Sequence, residues 1–317
     1  SETPIKKSAH NDWIGMALMA VGVASLQIFL DRGNTNGWFQ SQTIQVLFIT
    51  CIICLMTFVI RGLKKKDNII NLQLFKNRNF SIATGLLTIF TMSIIALLSV
   101  QPLMMEHLMG YTAQLSGLVM MPRGIAAGLG MMIVAKTINR IDGRWIVTIG
   151  IALAAYGTYL MAHLSQTASF SLIGWEGAIQ GLGMGLFFVP VSGFSLSEFQ
   201  DNSAAEAAGL FSFGRSIGSS IGISIISTII TQETQINWNR LGGHITSTSQ
   251  ATQQWIYVQS QHMPHSQVIA QLAHTLDAQA SMVAFTDAFW FAFLLLIIML
   301  PFVWMLKRVK LSMDAGH

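Results

Sequence analysis

Eight apolar segments of about 20 residues constrain the fold of this chain more than any other feature. They occupy residues 13–30, 44–60, 82–105, 113–135, 145–163, 170–196, 204–231 and 284–306. A helix needs roughly 20 mostly apolar residues to cross a bilayer, whereas barrel strands are about 10 residues long and alternate in polarity. Only helices and closed barrels satisfy the backbone in lipid, and no such alternation is present here. The sequence therefore predicts an all-α integral membrane protein with eight transmembrane helices.

The composition supports a membrane protein and argues against a nucleic-acid partner. Charged residues make up 10% of the chain and hydrophobic residues 52%, while soluble domains carry about 25% charged residues. In a membrane protein, a net charge of +4 is expected to reside in cytoplasmic loops. We therefore expect lipid, and no nucleic acid, around this chain.

The distribution of Lys and Arg predicts the orientation of the spans. An even number of spans places both termini on one side, and that side holds 14 of the 18 basic residues. The opposite loops hold only Arg32 and Arg240, and Arg123 and Arg215 lie inside spans. Because basic loops stay in the cytoplasm, we expect both ends of this chain to be cytoplasmic.

Polar segments divide the chain into three parts. Residues 1–60 contain a lead-in and a two-helix hairpin, residues 61–81 form a basic cytoplasmic linker, and residues 82–317 contain six spans. A long polar segment, 232–283, lies on the external side, and within it the periodic stretch 266–285 is expected to be helical.

A series of motifs follows the chain in order. They are "SLQIFLDRG" (25–33), "LFKNRNF" (74–80), "GYTAQLSGLVMMPRG" (110–124), "QGLGMGLFFVPV" (180–191), "AAGLFSFGRSIGSSIG" (207–222) and "QASMVAFTDAFW" (279–290). The series resembles the fourteen-span drug:proton antiporters of the major facilitator superfamily, the EmrB/QacA type. The match covers essentially the whole chain and begins after the sixth span of that family.

The resemblance implies a fold and a function. The fold is a fragment of the major facilitator fold, with the central hairpin followed by the C-terminal six-helix bundle, and the N-terminal six-helix half is missing. The function is proton-coupled multidrug efflux across the inner membrane by alternating access, with amphipathic drugs and protons as the transported species. A periplasmic adaptor and an outer-membrane channel are the expected partners.

Two other functions remain open on the sequence. One is export of a specific metabolite, such as a siderophore or a fatty acid. The other is a non-transporting truncated half that acts as an interaction scaffold. An enzyme is not expected, because the sequence contains no nucleophile elbow, no phosphate-binding loop and no paired carboxylates in a soluble domain.

The stretch "GRSIGSSIG" (214–222) places a charge inside a span. Its glycines, Gly214, Gly218 and Gly222, recur at every fourth residue, so they share one helix face and allow another helix to approach closely. A charge near the middle of a bilayer costs several kcal/mol and must face the bundle interior, a cavity or a partner. We expect Arg215 to face the substrate cavity, or alternatively to cap carbonyls or snorkel.

A second pair of charges lies in the predicted bundle. Arg123 follows Pro122 near the middle of its span, and Glu176 is an acid well inside the six-helix part. We expect Glu176 to titrate during transport or to form a structural salt bridge, and Arg123 either to pair with it or to select the charge of the substrate. Further packing glycines accompany them: Gly124, Gly128, Gly177, Gly181 and Gly185.

Two glutamines complete the candidate pathway, and no cofactor or metal is expected. Gln101 and Gln180 are polar side chains within spans that can line a cavity. Cys51 and Cys54 lie in an apolar run and are interpreted as small packing residues. The external histidines, which are His244, His262, His265 and His274, lack a supporting carboxylate or cysteine cluster.

Overall fold

A computed structural model describes residues 13–33, 37–64, 72–197, 199, 202–245, 249–261 and 264–308. In these ranges the chain is helical and contains no strand. The nine α-helices are α1 (Trp13–Gly33), α2 (Gln42–Lys64), α3 (Arg78–Leu108), α4 (Ala113–Thr137), α5 (Gly143–Met161), α6 (Phe170–Leu196), α7 (Asn202–Gly242), α8 (Gln250–Ser260) and α9 (His265–Val303).

The expected all-α membrane fold is confirmed. Six helices, α3 to α7 and α9, are long and apolar enough to cross a membrane. The described apolar stretches of α1 and α2 are shorter, at 17–30 and 42–58. All eight expected segments are therefore helical, and the six that form one bundle carry the stronger membrane signal.

The six long helices form a bundle in which α3 and α6 are central. Helix α6 packs against α3, α4 and α5, and α3 also packs against α7 and α9, while α9 contacts α5 and α7. At the centre of the bundle, Phe90 of α3 stacks on Phe187 of α6 with ring centroids 3.8 Å apart. We call the side where α3 begins and α9 ends the near side, and the opposite side the far side.

The long polar segment 232–283 is mostly helical in its described part. Helix α7 continues to Gly242, and α9 begins at His265, so the expected helix at 266–285 is confirmed as part of the last span. Helices of 41 and 39 residues are roughly 60 Å long at 1.5 Å per residue, against about 30 Å of hydrocarbon. Both helices therefore extend well beyond the membrane on the far side.

Polar contacts join the end of α9 to the near side of the bundle. The Asn79 side chain accepts a hydrogen bond from the Lys307 backbone at 2.7 Å. Arg308 pairs with Asp142 at 3.1 Å, and Asp142 also caps α5 by accepting from the Arg144 backbone. One carboxylate thus connects the α4–α5 turn with the segment that follows α9.

Helices α1 and α2 form a hairpin, and α1 packs against α7. A Cβ added to Gly22 would lie 2.9 Å from the Leu55 side chain, so the two helices are in close contact. Ser220 of α7 donates a hydrogen bond to Gln27 of α1 at 2.9 Å. Helix α2 runs to Lys64 and α3 begins at Arg78, so both ends of the expected linker 61–81 are helical, and residues 65–71 lie outside the described ranges.

Candidate functional site

Helix α6 presents two glycine faces, and the first meets α4. A Cβ added to Gly181 or Gly185 would overlap the backbone carbonyl of Arg123 or Ala127, respectively. One added to Gly177 would lie 3.6 Å from the Arg123 guanidinium. The expected stripe at 177, 181 and 185 therefore brings the α4 and α6 backbones into contact at Arg123.

The second face of α6 meets α5, and sequence reasoning missed it. A Cβ on Gly157 would lie 2.7 Å from the Gln180 backbone nitrogen, and one on Gly150 would lie 3.0 Å from the Gly183 carbonyl. Gly150 and Gly157 are seven residues apart, two helical turns. A search restricted to a spacing of four does not find them.

Gly124 and Gly128 were expected to form a packing face, and within the described part of the chain no helix packs on it. Neither glycine has another described residue within 4 Å of an added Cβ, and both are exposed. Gly130 makes the close approach on α4, since its added Cβ would lie 2.7 Å from the Leu182 carbonyl. The reason is geometric: the α4 face that meets α6 carries Arg123, so glycines one and five residues farther on turn away from it.

The glycine stripe of α7 lies against α3. An added Cβ on Gly214 would lie 2.9 Å from the Thr84 side chain, and those on Gly218 and Gly222 would overlap the carbonyls of Thr88 and Met92. The backbone carbonyl of Arg215 accepts a hydrogen bond from Thr91 of α3. The stripe therefore holds α7 against the centre of the bundle.

Arg123 lies inside the bundle and points at α3. It is 5% exposed, and its Nη2 donates to Gln101 Oε1 at 2.6 Å and contacts Met161 Sδ at 3.7 Å. Its Nε and Nη1 are buried and have no hydrogen-bond partner in the described part of the chain. The guanidinium thus has two neutral acceptors, an amide oxygen and a thioether sulfur, and no carboxylate partner in the described part of the chain.

Glu176, on α6, is equally buried. It is 5% exposed, and its Oε2 has no hydrogen-bond partner among the described residues. The described side chains include no ion pair between Glu176 and Arg123, although the two residues lie on touching helices.

Gln180 lies one turn deeper than Glu176 on the same helix. Its Nε2 donates to Thr158 Oγ1 of α5 at 2.8 Å. With Gln101 and Arg123 it forms a polar track through helices α3 to α6, among other buried polar side chains such as Ser93 and Ser195.

Arg215 does not join this track. Its side chain is exposed on α7, on a face adjacent to the glycines that contact α3. The structure thus brings together Gln101, Arg123, Glu176 and Gln180, and leaves Arg215 on the bundle surface.

His163 is an ordered side chain that the sequence did not indicate. It lies two residues beyond Met161, the last residue of α5, and its ring packs on Tyr159 and on Trp290 of α9. Nothing in its neighbourhood, "MAHLS", distinguishes it from a boundary histidine. Of the histidines noted earlier, His262 lies outside the described residues. Within the described ranges, no cluster of three or more metal-ligating side chains forms.

A buried carboxyl and a buried guanidinium lie in one bundle of apolar helices, with no ion pair between them in the described part of the chain. Charged groups inside membrane bundles mark ion and substrate pathways.

Comparison with known proteins identifies the relatives of this chain. The Major Facilitator Superfamily model matches residues 13–223. The chain is similar to the fatty acid resistance protein FarB of Neisseria gonorrhoeae, with 29% identity over 96% of this chain and 61% of that protein. It is also similar to the multidrug export protein EmrB of Escherichia coli K12, with 28% identity over 93% of this chain and 58% of that protein.

The EmrB of Haemophilus influenzae is a further relative, 27% identical over 93% of this chain and 58% of its own length. The chain therefore spans about three fifths of the length of these relatives. Since the family model matches well over half of the 317 residues, and the structure is a bundle of long apolar helices, the chain belongs to the Major Facilitator Superfamily.

Proposed function

We propose that this chain is the C-terminal part of a proton-coupled efflux transporter that exports amphipathic drugs across the inner membrane. The observation that carries the proposal is Glu176, a carboxyl 5% exposed in a membrane bundle, whose Oε2 has no partner in the described part. The relatives named for multidrug export support drugs as the substrate class.

A carboxyl in this position suits proton coupling. An ionised carboxylate in an apolar interior is far more costly than the neutral acid. Glu176 therefore releases its proton when water or a countercharge becomes available, and alternating access provides that change of surroundings. Proton release to the cytoplasm and uptake from the outside would drive the cycle.

The open faces of α4 and α7 support a second bundle as the partner. Only 28% of the most apolar window of each helix is buried, the lowest share among the six long helices. Exposed glycines, Gly124 and Gly128 on α4 and Gly209 on α7, have no described neighbour near an added Cβ. We infer that the missing six-helix half packs on these faces and that Arg215 faces the cavity between the halves.

We further propose that the near side faces the cytoplasm and the far side the periplasm, because the near-side loops carry the basic residues. The extended ends of α7 and α9, with α8, would then meet a periplasmic adaptor leading to an outer-membrane channel. Replacing residues 243–264 by a Gly-Ser linker should leave the protein in the membrane and lower efflux. Unchanged efflux would exclude an adaptor contact through α8, which the linker replaces.

Export of a fatty acid is the second candidate. FarB is named for fatty acid resistance, and the unpaired Nε and Nη1 of Arg123 offer a cation to a carboxylate-bearing substrate. A siderophore has no comparable support in the structure.

The test is transport by the full-length protein in liposomes with an imposed pH gradient, using ethidium and laurate as probes. Gradient-driven ethidium transport that a proton ionophore abolishes and Glu176→Gln removes supports the drug antiporter. Transport of laurate alone favours the fatty-acid exporter. Transport of neither probe, under any gradient, favours the scaffold alternative.

A further inference from the structure

The outer seam between α5 and α9 is defined by two aromatic contacts. Trp145 meets Trp304 at the near end of the seam, with ring centroids 4.8 Å apart. Tyr159 meets Trp290 farther along, at 5.6 Å. The two contacts are 14 residues apart on each helix, so α5 and α9 run antiparallel and stay paired over about 21 Å at 1.5 Å per residue. The seam thus covers about two thirds of the roughly 30 Å of hydrocarbon in a bilayer.

The side chains along this seam form two exposed apolar stripes. Ile149 and Tyr156 follow Trp145 by four and eleven residues, which places them on the same face of α5, and both are exposed. Ile297 precedes Trp304 by seven residues on α9 and is exposed as well. These stripes belong to α5 and α9, not to the α4 and α7 faces that we assigned to the other half. Aromatic residues at both ends of the seam are typical of helices that face lipid.

Three basic residues lie at the near end of the seam. Arg144 is at the start of α5, and Lys307 and Arg308 follow the end of α9. The described contacts place one carboxylate among them, that of Asp142, which accepts from the Arg144 backbone at 3.1 Å and pairs with Arg308 Nε at 3.1 Å. The cluster therefore keeps an excess of two positive charges.

Backbone contacts fix the position of the segment that carries two of these cations. The Lys307 backbone nitrogen donates to the Asn79 side chain at 2.7 Å. Arg78 Nε donates to the Met305 carbonyl at 3.0 Å. Because the segment is already held against the start of α3, a ligand that binds there loses little free energy to ordering the protein.

The two guanidinium groups of the cluster keep donors for a ligand. Arg144 is partly exposed, and its Nε has no acceptor among the described residues. Arg308 is mostly exposed and uses Nε for Asp142, which leaves the N–H groups of its two terminal nitrogens accessible. Guanidinium groups bind phosphate through paired N–H donors. The near end of the seam therefore offers charge and donors to a phosphate, directly beside an apolar surface.

We propose that the near end of the α5–α9 seam is a binding site for an anionic phospholipid such as phosphatidylglycerol. Arg144, Lys307 and Arg308 hold the phosphate. The indoles of Trp145 and Trp304 lie at the level of the glycerol backbone, and an acyl chain lies along the exposed stripes. Basic pockets between membrane helices select anionic headgroups, whereas a choline headgroup would bring a further cation to the cluster. This site goes beyond the proposed function and depends neither on transport nor on which side of the membrane the near side faces.

The test measures lipid binding to the purified full-length protein in detergent micelles by native mass spectrometry. Wild-type protein should bind phosphatidylglycerol at least about tenfold more tightly than phosphatidylcholine. Arg144→Gln/Lys307→Gln should weaken phosphatidylglycerol binding roughly 25-fold, because each basic residue near an anionic headgroup contributes about fivefold in affinity. Lys76→Gln/Arg240→Gln removes the same two residue types at exposed positions outside the cluster and should bind like the wild-type protein.

A second measurement locates the bound lipid. Phosphatidylglycerol that is brominated near the top of its acyl chain quenches the fluorescence of adjacent indoles. Trp145→Phe/Trp304→Phe keeps an aromatic pair at the seam but removes these two reporters. This variant should therefore lose the part of the quenching that saturates at low lipid concentration.

Several outcomes would overturn the site. Equal weakening in the two charge-removing variants would show that only the total charge matters, and equal affinity for the two lipids would remove the selectivity. Displacement of phosphatidylglycerol by an equal concentration of glycerol 3-phosphate would assign the cluster to a soluble phosphate. Unchanged saturable quenching in Trp145→Phe/Trp304→Phe would place the lipid elsewhere.

A charge-retaining variant separates binding from folding. Arg144→Lys/Lys307→Arg keeps both charges and should retain most of the affinity for phosphatidylglycerol. The unfolding temperature of every variant is compared without added lipid. If Arg144→Gln/Lys307→Gln does not fold, the choice between the two lipids and the quenching experiment on the wild-type protein still decide the proposal.

Discussion

Replacing Gly157 by alanine tests whether the α5–α6 contact holds the polar track together. The added methyl group would lie 2.7 Å from the Gln180 backbone nitrogen and 2.9 Å from its Cα. Ordinary contact begins near 3.4 Å, so the helices must separate by about 0.7 Å, and packed interiors resist such a change.

The expected destabilisation follows from two contributions. Overpacking of a well-packed interior costs typically 1–3 kcal/mol. The same separation stretches the hydrogen bond from Gln180 to Thr158, now 2.8 Å, towards about 3.5 Å, and a bond between membrane helices contributes about 0.6 kcal/mol. We expect Gly157→Ala to lower the free energy of unfolding by roughly 2–3 kcal/mol.

The assay is reversible unfolding of the purified full-length protein in mixed micelles, titrated with a denaturing detergent. The matched control is Gly85→Ala on α3, because no described residue lies within 4 Å of the added methyl group and the position is outside the α4 and α7 faces assigned to the other half. Alanine is the better helix former by up to about 1 kcal/mol, so the control should be neutral or slightly stabilising. Equal stability of Gly157→Ala and Gly85→Ala would refute the inferred backbone contact.

Three further predictions concern other parts of the bundle. Arg123→Met should keep or raise the free energy of unfolding, by up to about 4 kcal/mol, because it removes a buried charge without a carboxylate partner. Transport of ethidium or laurate should fall. A large loss of stability would show that the guanidinium is a structural element. Gly218→Leu should prevent a folded protein from accumulating in membranes, whereas Gly85→Leu on α3, with no described residue near an added Cβ, should accumulate normally. Equal levels on quantitative blots would contradict the close α3–α7 approach. Asp142→Asn should change the free energy of unfolding by less than about 1 kcal/mol, because the ion-pair partner of Asp142 is 82% exposed and Asn also caps helices. Asp142→Ala should cost about 1 kcal/mol. Equal effects of the two substitutions in detergent unfolding would assign the role to the charge and not to the cap.

Much of the architecture follows from local composition. The apolar segments predict the helices, and α6 begins and ends at the expected residues, because lipid leaves the backbone no other open-ended structure. The largest error was the far-side end of α7, where polar residues follow an apolar span and the helix continues to Gly242, whereas the helix at 266–285 was expected from its periodicity. Hydropathy reports where a helix leaves lipid, whereas pairing between α7 and α9 decides where α7 stops.

In the candidate site, too, some features follow from local sequence and others from the tertiary structure. The sequence by itself determined that Arg123 and Glu176 lie within membrane helices, because charge and span position are both local properties. The surroundings of each side chain were decided by the tertiary structure: Arg123 donates to Gln101 of α3, while Glu176 Oε2 has no partner in the described part of the chain. The physical reason is that a buried charge meets only the polar groups that neighbouring helices bring to its level, and helix neighbours and register depend on contacts between residues far apart in the chain.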